Sequence, residues 1–134
     1  MQENFLGQVT QKAVLKYKDF FVLVKEKNED RWILPGGRLD FGEKPEDGLL
    51  REIKEELGVE AIVENIISVD LPFVADKGKT PKFFVFYFVS VLPNQKILID
   101  SEISDFVLVS QKEDLKKYPM YENQKKVIEN FLNE

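Results

Sequence analysis

Three glutamates, Glu52, Glu55 and Glu56, fall within five residues of one another, in a stretch (36–60) that carries eight carboxylates. Clustered like charges are unfavourable unless a cation answers them. On a helix the i,i+4 spacing of Glu52 and Glu56 makes them neighbours that repel. Arg51 can reach Glu55 or a carboxylate of the preceding loop, but one guanidinium does not neutralise three acids. A divalent cation does. The chain has no histidine and no cysteine, which removes imidazole bases, Ser-His-Asp triads, thiolate nucleophiles, disulfides and zinc–thiolate sites. Any metal must therefore be held by oxygen, which points to a hard cation such as Mg²⁺, Mn²⁺ or Ca²⁺.

The element that must position these acids reads as a helix. Lys44-Pro45-Glu46-Asp47 is a good entrance, with proline suited to the first position and acids to the positive end of the dipole. Gly58 supplies the stop. At 100° per residue, Leu49, Leu50, Ile53 and Leu57 cover an arc of about 100°, the width of a core-facing stripe. Glu52 and Glu56 lie directly beside that stripe, Glu55 lies a little further round, and Lys54 points away. Gly48 falls in the same arc, where it costs about 1 kcal/mol relative to Ala and is expected to leave space beside the carboxylates. A solvated acidic face is the ordinary meaning of such a sequence; the place of Glu52 and Glu56 at the core margin argues against it. Pro35-Gly36-Gly37 reads as a tight turn whose backbone carbonyls, acceptable ligands for a hard metal, come close to the helix.

Around this unit, 134 residues with 43% hydrophobic content predict one domain, 1–134, with a sizeable core. Strands are expected at 9–17, 20–27, 32–34, 61–70, 82–92 and 106–109, with turns at Lys18-Asp19 and Pro93-Asn94. Ser110 with Glu113 fits a capping box opening a short helix, 111–117. Pro119 precedes an amphipathic helix, 121–132, with Val127, Ile128, Phe131 and Leu132 toward the core. The fold class is α/β, a mixed sheet with helices around it. No stretch approaches the length of a membrane span, and "MQENFLGQVTQK" does not read as a secretory signal, so the expected compartment is cytoplasmic. A net charge of −5 argues against general binding of nucleic acid; a phosphate compound would have to be met by locally reversed charge.

Gly37, five residues, Glu43, seven residues, then Arg51-Glu52-Ile53-Lys54-Glu55-Glu56-Leu57-Gly58-Val59 resembles the Nudix box without a substitution. Seven polar or glycine positions and two aliphatic ones agree over 23 residues. "WILPGG" before it and "FVLVSQKEDL" late in the chain are also similar to ordinary members, so the likeness covers essentially the whole chain. Gly48, where many members carry Ala, is a small departure. The resemblance implies a Nudix-type α/β/α sandwich and a pyrophosphohydrolase using Mg²⁺ or Mn²⁺ to cleave a nucleoside diphosphate linked to another group. By position, Glu52 and Glu56 would be the principal metal ligands. Glu55 would be a third ligand or the base that takes a proton from the attacking water. Arg51 would pair with Glu43, and a carbonyl of Gly36 or Gly37 would complete the metal shell. The partner implied is a small nucleotide-type molecule, with a nucleic-acid 5′ end the one exception to the charge argument. Members frequently dimerise, so a homodimer is compatible with the likeness.

Outside the box, Glu102 and Asp105 are candidates for a further catalytic carboxylate, or are surface acids of a turn. Arg38 and Lys82, with Lys77 and Lys79 of the basic loop 75–82, are candidates for substrate contact. Phe83, Phe84, Phe86, Tyr87 and Phe88 offer a stacking surface on one face only; core packing is the preferred reading. Trp32 is read as bracing its loop. Two other functions compete. A binding or regulatory module on the same fold would be expected to lose the catalytic acids, and none is lost. The isoprenoid diphosphate isomerase branch employs a cysteine, which this chain lacks. Pro72 is too weak a cue to sort the substrates that remain.

Overall fold

The computed structural model describes residues 6–71 and 81–134. Of the basic loop 75–82, Lys82 lies within these, while Lys77 and Lys79, like the separate cue Pro72, lie outside the described residues. In chain order the elements are β1 (Gln8–Tyr17), β2 (Phe20–Glu26), β3 (Gly36–Arg38), α1 (Pro45–Leu57), β4 (Ala61–Asp70), β5 (Lys82–Val91), β6 (Ile103–Val109), a 3-10 helix (Lys112–Lys117) and α2 (Glu122–Glu129). The strands join in one sheet of order β4-β5-β1-β2-β6. β1 runs parallel to β5 and antiparallel to β2 and β3, which makes the sheet mixed.

β1 divides its second edge between two partners. Thr10, Gln11 and Lys12 pair with Arg38, Gly37 and Gly36, while Lys16 and Tyr17 pair with Phe21 and Phe20. Between them the chain crosses at Leu34-Pro35, where the Ala13 amide donates to the Pro35 carbonyl at 2.8 Å. Alternation along the central strands feeds two cores. Ala13, Leu15, Val22, Val24, Tyr87 and Val89 pack with Leu49, Ile53 and Leu57 of α1. Val14, Phe21, Leu23 and Phe86 pack with Leu34, Leu115, Ile128 and Leu132 on the opposite side. Helices on both faces of a mixed sheet are the α/β/α sandwich that the sequence implies. Full burial of Leu49, Ile53 and Leu57 is worth roughly 1.5–3 kcal/mol per side chain.

The differences from expectation are local. The segment 32–34 is no strand: Trp32 and Ile33 make single bridges, to Met120 and Val24, and the strand proper begins at Gly36. The glycine pair read as a turn lies flat along β1 instead. A Cβ on Gly36 would stand 2.0 Å from the Gln11 carbonyl oxygen, and its φ of +140° excludes other residues. The capping box is shifted by one residue, to Gln111 and Asp114; the Asp114 carboxylate accepts from the Ser110 and Gln111 amides at 3.0 Å each. β6 begins three residues before the expected strand, at Ile103, and the last helix is shorter than 121–132.

The aromatic run of β5 is packing material. Phe86 and Tyr87 are buried, Phe84 stacks on Phe86 at 5.9 Å, and Phe88 stacks on Phe131 at 5.4 Å. Trp32 meets Tyr118 edge-on at 5.1 Å, bracing its loop. No helix among the described residues is long and apolar enough to cross a membrane.

Candidate active site

α1 starts with Pro45 in its first turn and ends on Gly58 in the left-handed conformation, whose amide donates to the Lys54 carbonyl at 2.8 Å. With Leu49, Ile53 and Leu57 seated in the core, Glu52 and Glu56 are forced to the margin where α1 meets β3. Glu56 is partly buried, and its Oε1 accepts from the Gly36 amide at 3.0 Å. Burial lifts its pKa to about 8, against the opposing pull of Lys12 and the Gly36 bond. The Glu52 carboxylate lies over Gly37: a Cβ there would be 2.9 Å from its carboxyl carbon. Burial raises the pKa of Glu52 as well, with Arg51 opposing.

Arg51 is the hub of the remaining charges. It donates to Glu43 at 2.8 and 3.0 Å, to Glu55 at 3.1 and 3.2 Å and to Asp40 at 3.1 Å, and stands 3.3 Å from Glu52. The bond to Glu43, then that to Glu55, holds its guanidinium above the usual range, and the same pairing pulls Glu43 down. Loop 39–44 is thereby strapped to the helix through Asp40 and Glu43. Gly48 leaves no open space: a Cβ there would stand 2.7 Å from Glu43 Oε1, so the missing side chain makes room for Glu43 itself. Lys54 points away and pairs with Glu60.

The structure thus gathers Gly36, Gly37, Glu43, Arg51, Glu52, Glu55 and Glu56. It does not bring Glu102 or Asp105 against the three glutamates. Glu102 offers its carbonyl to the Lys27 amide, and Asp105 accepts from the Phe106 amide at 2.8 Å. Arg38 and Lys82 are exposed at strand ends. Two residues that sequence reading passed over belong to the neighbourhood. Glu26, at the end of β2, adds its negative charge to Glu56, and the buried Lys12 opposes it. For Lys12 a signal was available: it is a charged residue directly before the apolar run Ala13-Val14-Leu15 of a central strand.

A family model, NUDIX domain, matches residues 10–131. The chain belongs to the Nudix hydrolase family. Among its relatives, the RNA pyrophosphohydrolase of Nitratiruptor sp. is 37% identical over 139 residues, spanning 89% of this chain and 85% of that protein. The nucleoside triphosphatase NudI of Escherichia fergusonii is 35% identical over 97 residues, 67% of this chain and 68% of that one. Among solved structures, a UDP-X diphosphatase superposes with a TM-score of 0.75 at 26% identity, over 96% of this chain and 62% of that larger one.

In this Nudix hydrolase the donor set around Glu52 and Glu56 is oxygen throughout, the chemistry that a hard divalent cation takes. Among the described residues no three acidic side chains are placed to hold one ion together, and Glu55 is engaged by Arg51. The backbone contributes unequally. Ala13 donates to Pro35 and Leu39 donates to Val9, so antiparallel alternation turns Gly37 toward Gln11 and Gly36 outward, toward α1.

Proposed function

We propose that this Nudix hydrolase is a metal-dependent pyrophosphohydrolase that cleaves a nucleoside diphosphate linked to a further group. The observation that carries this reading is the pair of half-buried carboxylates, Glu52 and Glu56, crowded against the Gly36-Gly37 backbone with too little cationic charge to neutralise them. Glu52, Glu56 and the outward-facing Gly36 carbonyl would hold the ion, with Gly37 the lesser carbonyl because its backbone is engaged by β1. Bound there, Mg²⁺ or Mn²⁺ would neutralise phosphate oxygens and acidify a water, which reverses the repulsion between an acidic protein and an acidic substrate.

The chain's own groups supply the rest. Glu55 is the most exposed of the three, its side chain 56% accessible, and among the described residues Arg51 holds it. We assign it the proton of the attacking water. The water oxygen bonds to phosphorus, the phosphoanhydride bond breaks, and the leaving phosphate departs with its electron pair. Arg51 and Glu43 touch no reacting atom: they fix the loop against the helix and keep Glu55 oriented.

Turnover of a panel of nucleoside triphosphates, dinucleotides and nucleotide sugars, with and without Mg²⁺, tests the activity. Tight binding of a nucleotide without turnover would instead favour a regulatory module. A second substrate reading, the 5′-terminal phosphates of an RNA, is favoured by the 37% identity to a protein named RNA pyrophosphohydrolase over most of both chains. A triphosphorylated oligonucleotide in the same panel separates the two.

A further inference from the structure

Lys12 is placed where a lysine is unexpected. It lies in the central strand with both neighbours buried, and only 7% of its own surface is accessible. Its Nζ donates to the Leu34 carbonyl at 3.1 Å. Across the ladder it is the register partner of Gly36, whose amide holds Glu56. The charges acting on the ammonium are Glu56 first, then Glu26 and Glu52 in attraction, with Lys82 in repulsion. Burial disfavours the charged form and lowers its pKa. A neutral hydrogen-bond donor would serve the Leu34 carbonyl equally well without that penalty. The charge therefore calls for an explanation other than bracing, and two of the three acids that act on it, Glu56 and Glu52, are those that the proposed function assigns to a metal.

We propose that Lys12 is a positioning residue of the hydrolytic site whose buried ammonium stands in for part of the missing cationic charge, keeping Glu56 and the Leu34–Gly36 backbone in place and holding divalent-ion affinity below what the glutamates alone would reach. This rests on the reading of Glu52 and Glu56 as metal ligands. A fixed positive charge behind a cation site repels the arriving ion, and in a partly desolvated place that repulsion is poorly screened. An ion held less tightly exchanges more readily with the metal–nucleotide complex that carries the substrate in.

The test is direct Mn²⁺ binding, read from the loss of the free-ion paramagnetic resonance signal, at one near-neutral pH for every variant. Lys12→Met and Lys12→Gln, the latter keeping a donor for the Leu34 carbonyl, should bind Mn²⁺ about tenfold more tightly. Lys12→Arg, which keeps the charge, should stay within about twofold of the unsubstituted protein. A lysine that only braced the loop predicts the opposite sign, weaker binding once the brace is cut. Equal or weaker binding in both neutral variants overturns the proposal, as does tightening in Lys12→Arg. In the unsubstituted protein, the Lys12 Cε resonance should move on addition of Mg²⁺ while that of the distant Lys112 does not. A stationary Lys12 signal overturns the proposal even where the variants do not fold. If the unsubstituted protein takes up no more Mn²⁺ than Glu56→Gln, the metal reading itself has failed, and this inference with it.

Discussion

α1 and α2 cover opposite faces of one sheet, and each seats an apolar stripe: Leu49, Ile53 and Leu57 on one side, Ile128 with the following Leu132 on the other. They treat polar groups differently. On the α2 side Gln124 is buried and neutral, and it accepts from the Leu34 amide at 2.8 Å. At the margin of α1 the acids are ionisable, crowded and unevenly matched, with Glu52 and Glu56 raised by burial. Neutral pairing suffices where only folding is at stake, and unmatched charge stands where a ligand can complete the account. One residue, Leu34, is held at both its amide and its carbonyl.

The largest effect expected from disturbing this asymmetry is in turnover. Glu56→Gln, and separately Glu52→Gln, should lower kcat by about 10³-fold or more, with circular dichroism unchanged. An unaltered rate would remove both residues from the chemistry. Arg51→Ala should lower kcat/KM by about 10- to 100-fold through loss of the strap to Asp40 and Glu43. Its thermal midpoint should fall as well, and a rate equal to that of the parent would show that Glu55 needs no orienting.

Stability against pH sharpens the contrast. Glu56 is held at about 8 in the fold against an ordinary value of 4.5. An acid raised in this way stabilises the fold fully below its unfolded pKa and loses that contribution as pH rises through the folded one. The metal-free protein should therefore melt progressively lower between about pH 4.5 and 8, and Glu56→Gln should flatten that slope. Lys12 works in the opposite sense toward the ordinary lysine value of 10.5. Glu43, pulled down by Arg51, contributes stability that disappears as pH falls below 4.5. Calorimetry across this range, with and without Mg²⁺, reads all three.

Gln124→Leu should act on folding alone. The orphaned Leu34 amide costs about 1–3 kcal/mol, visible in denaturant midpoint, while kcat at low temperature stays within about twofold. Smallest of all is Gly48→Ala. Helix propensity favours Ala by about 1 kcal/mol, and the displaced neighbour is the flexible end of Glu43. A melting point raised by a few degrees with a slight loss of rate is expected; a large loss would mean that Glu43 cannot move.

The sequence made much of this legible. β4 falls where period and composition placed it, and β1, β2 and β5 within a residue or two, because short turns and β-formers leave little choice there. β3 was missed because Gly36 and Gly37 carry no pattern of their own; their conformation is imposed by Gln11 across the ladder. The box gave the neighbours of Arg51, whose reach is local along one helix and one loop. Lys12 and Glu26 were missed because they join the site through sheet pairing, which spacing along the chain does not encode.

Leu34 ties these observations to durability. Its amide hangs on Gln124, one side chain of an eight-residue helix, while its carbonyl and the two glycines beyond it carry the glutamate environment. Fraying or proteolytic clipping of that short helix would therefore release the Leu34 amide and loosen the segment that leads into Gly36. The working lifetime of the enzyme is tied to the persistence of two helical turns on the far side of the sheet.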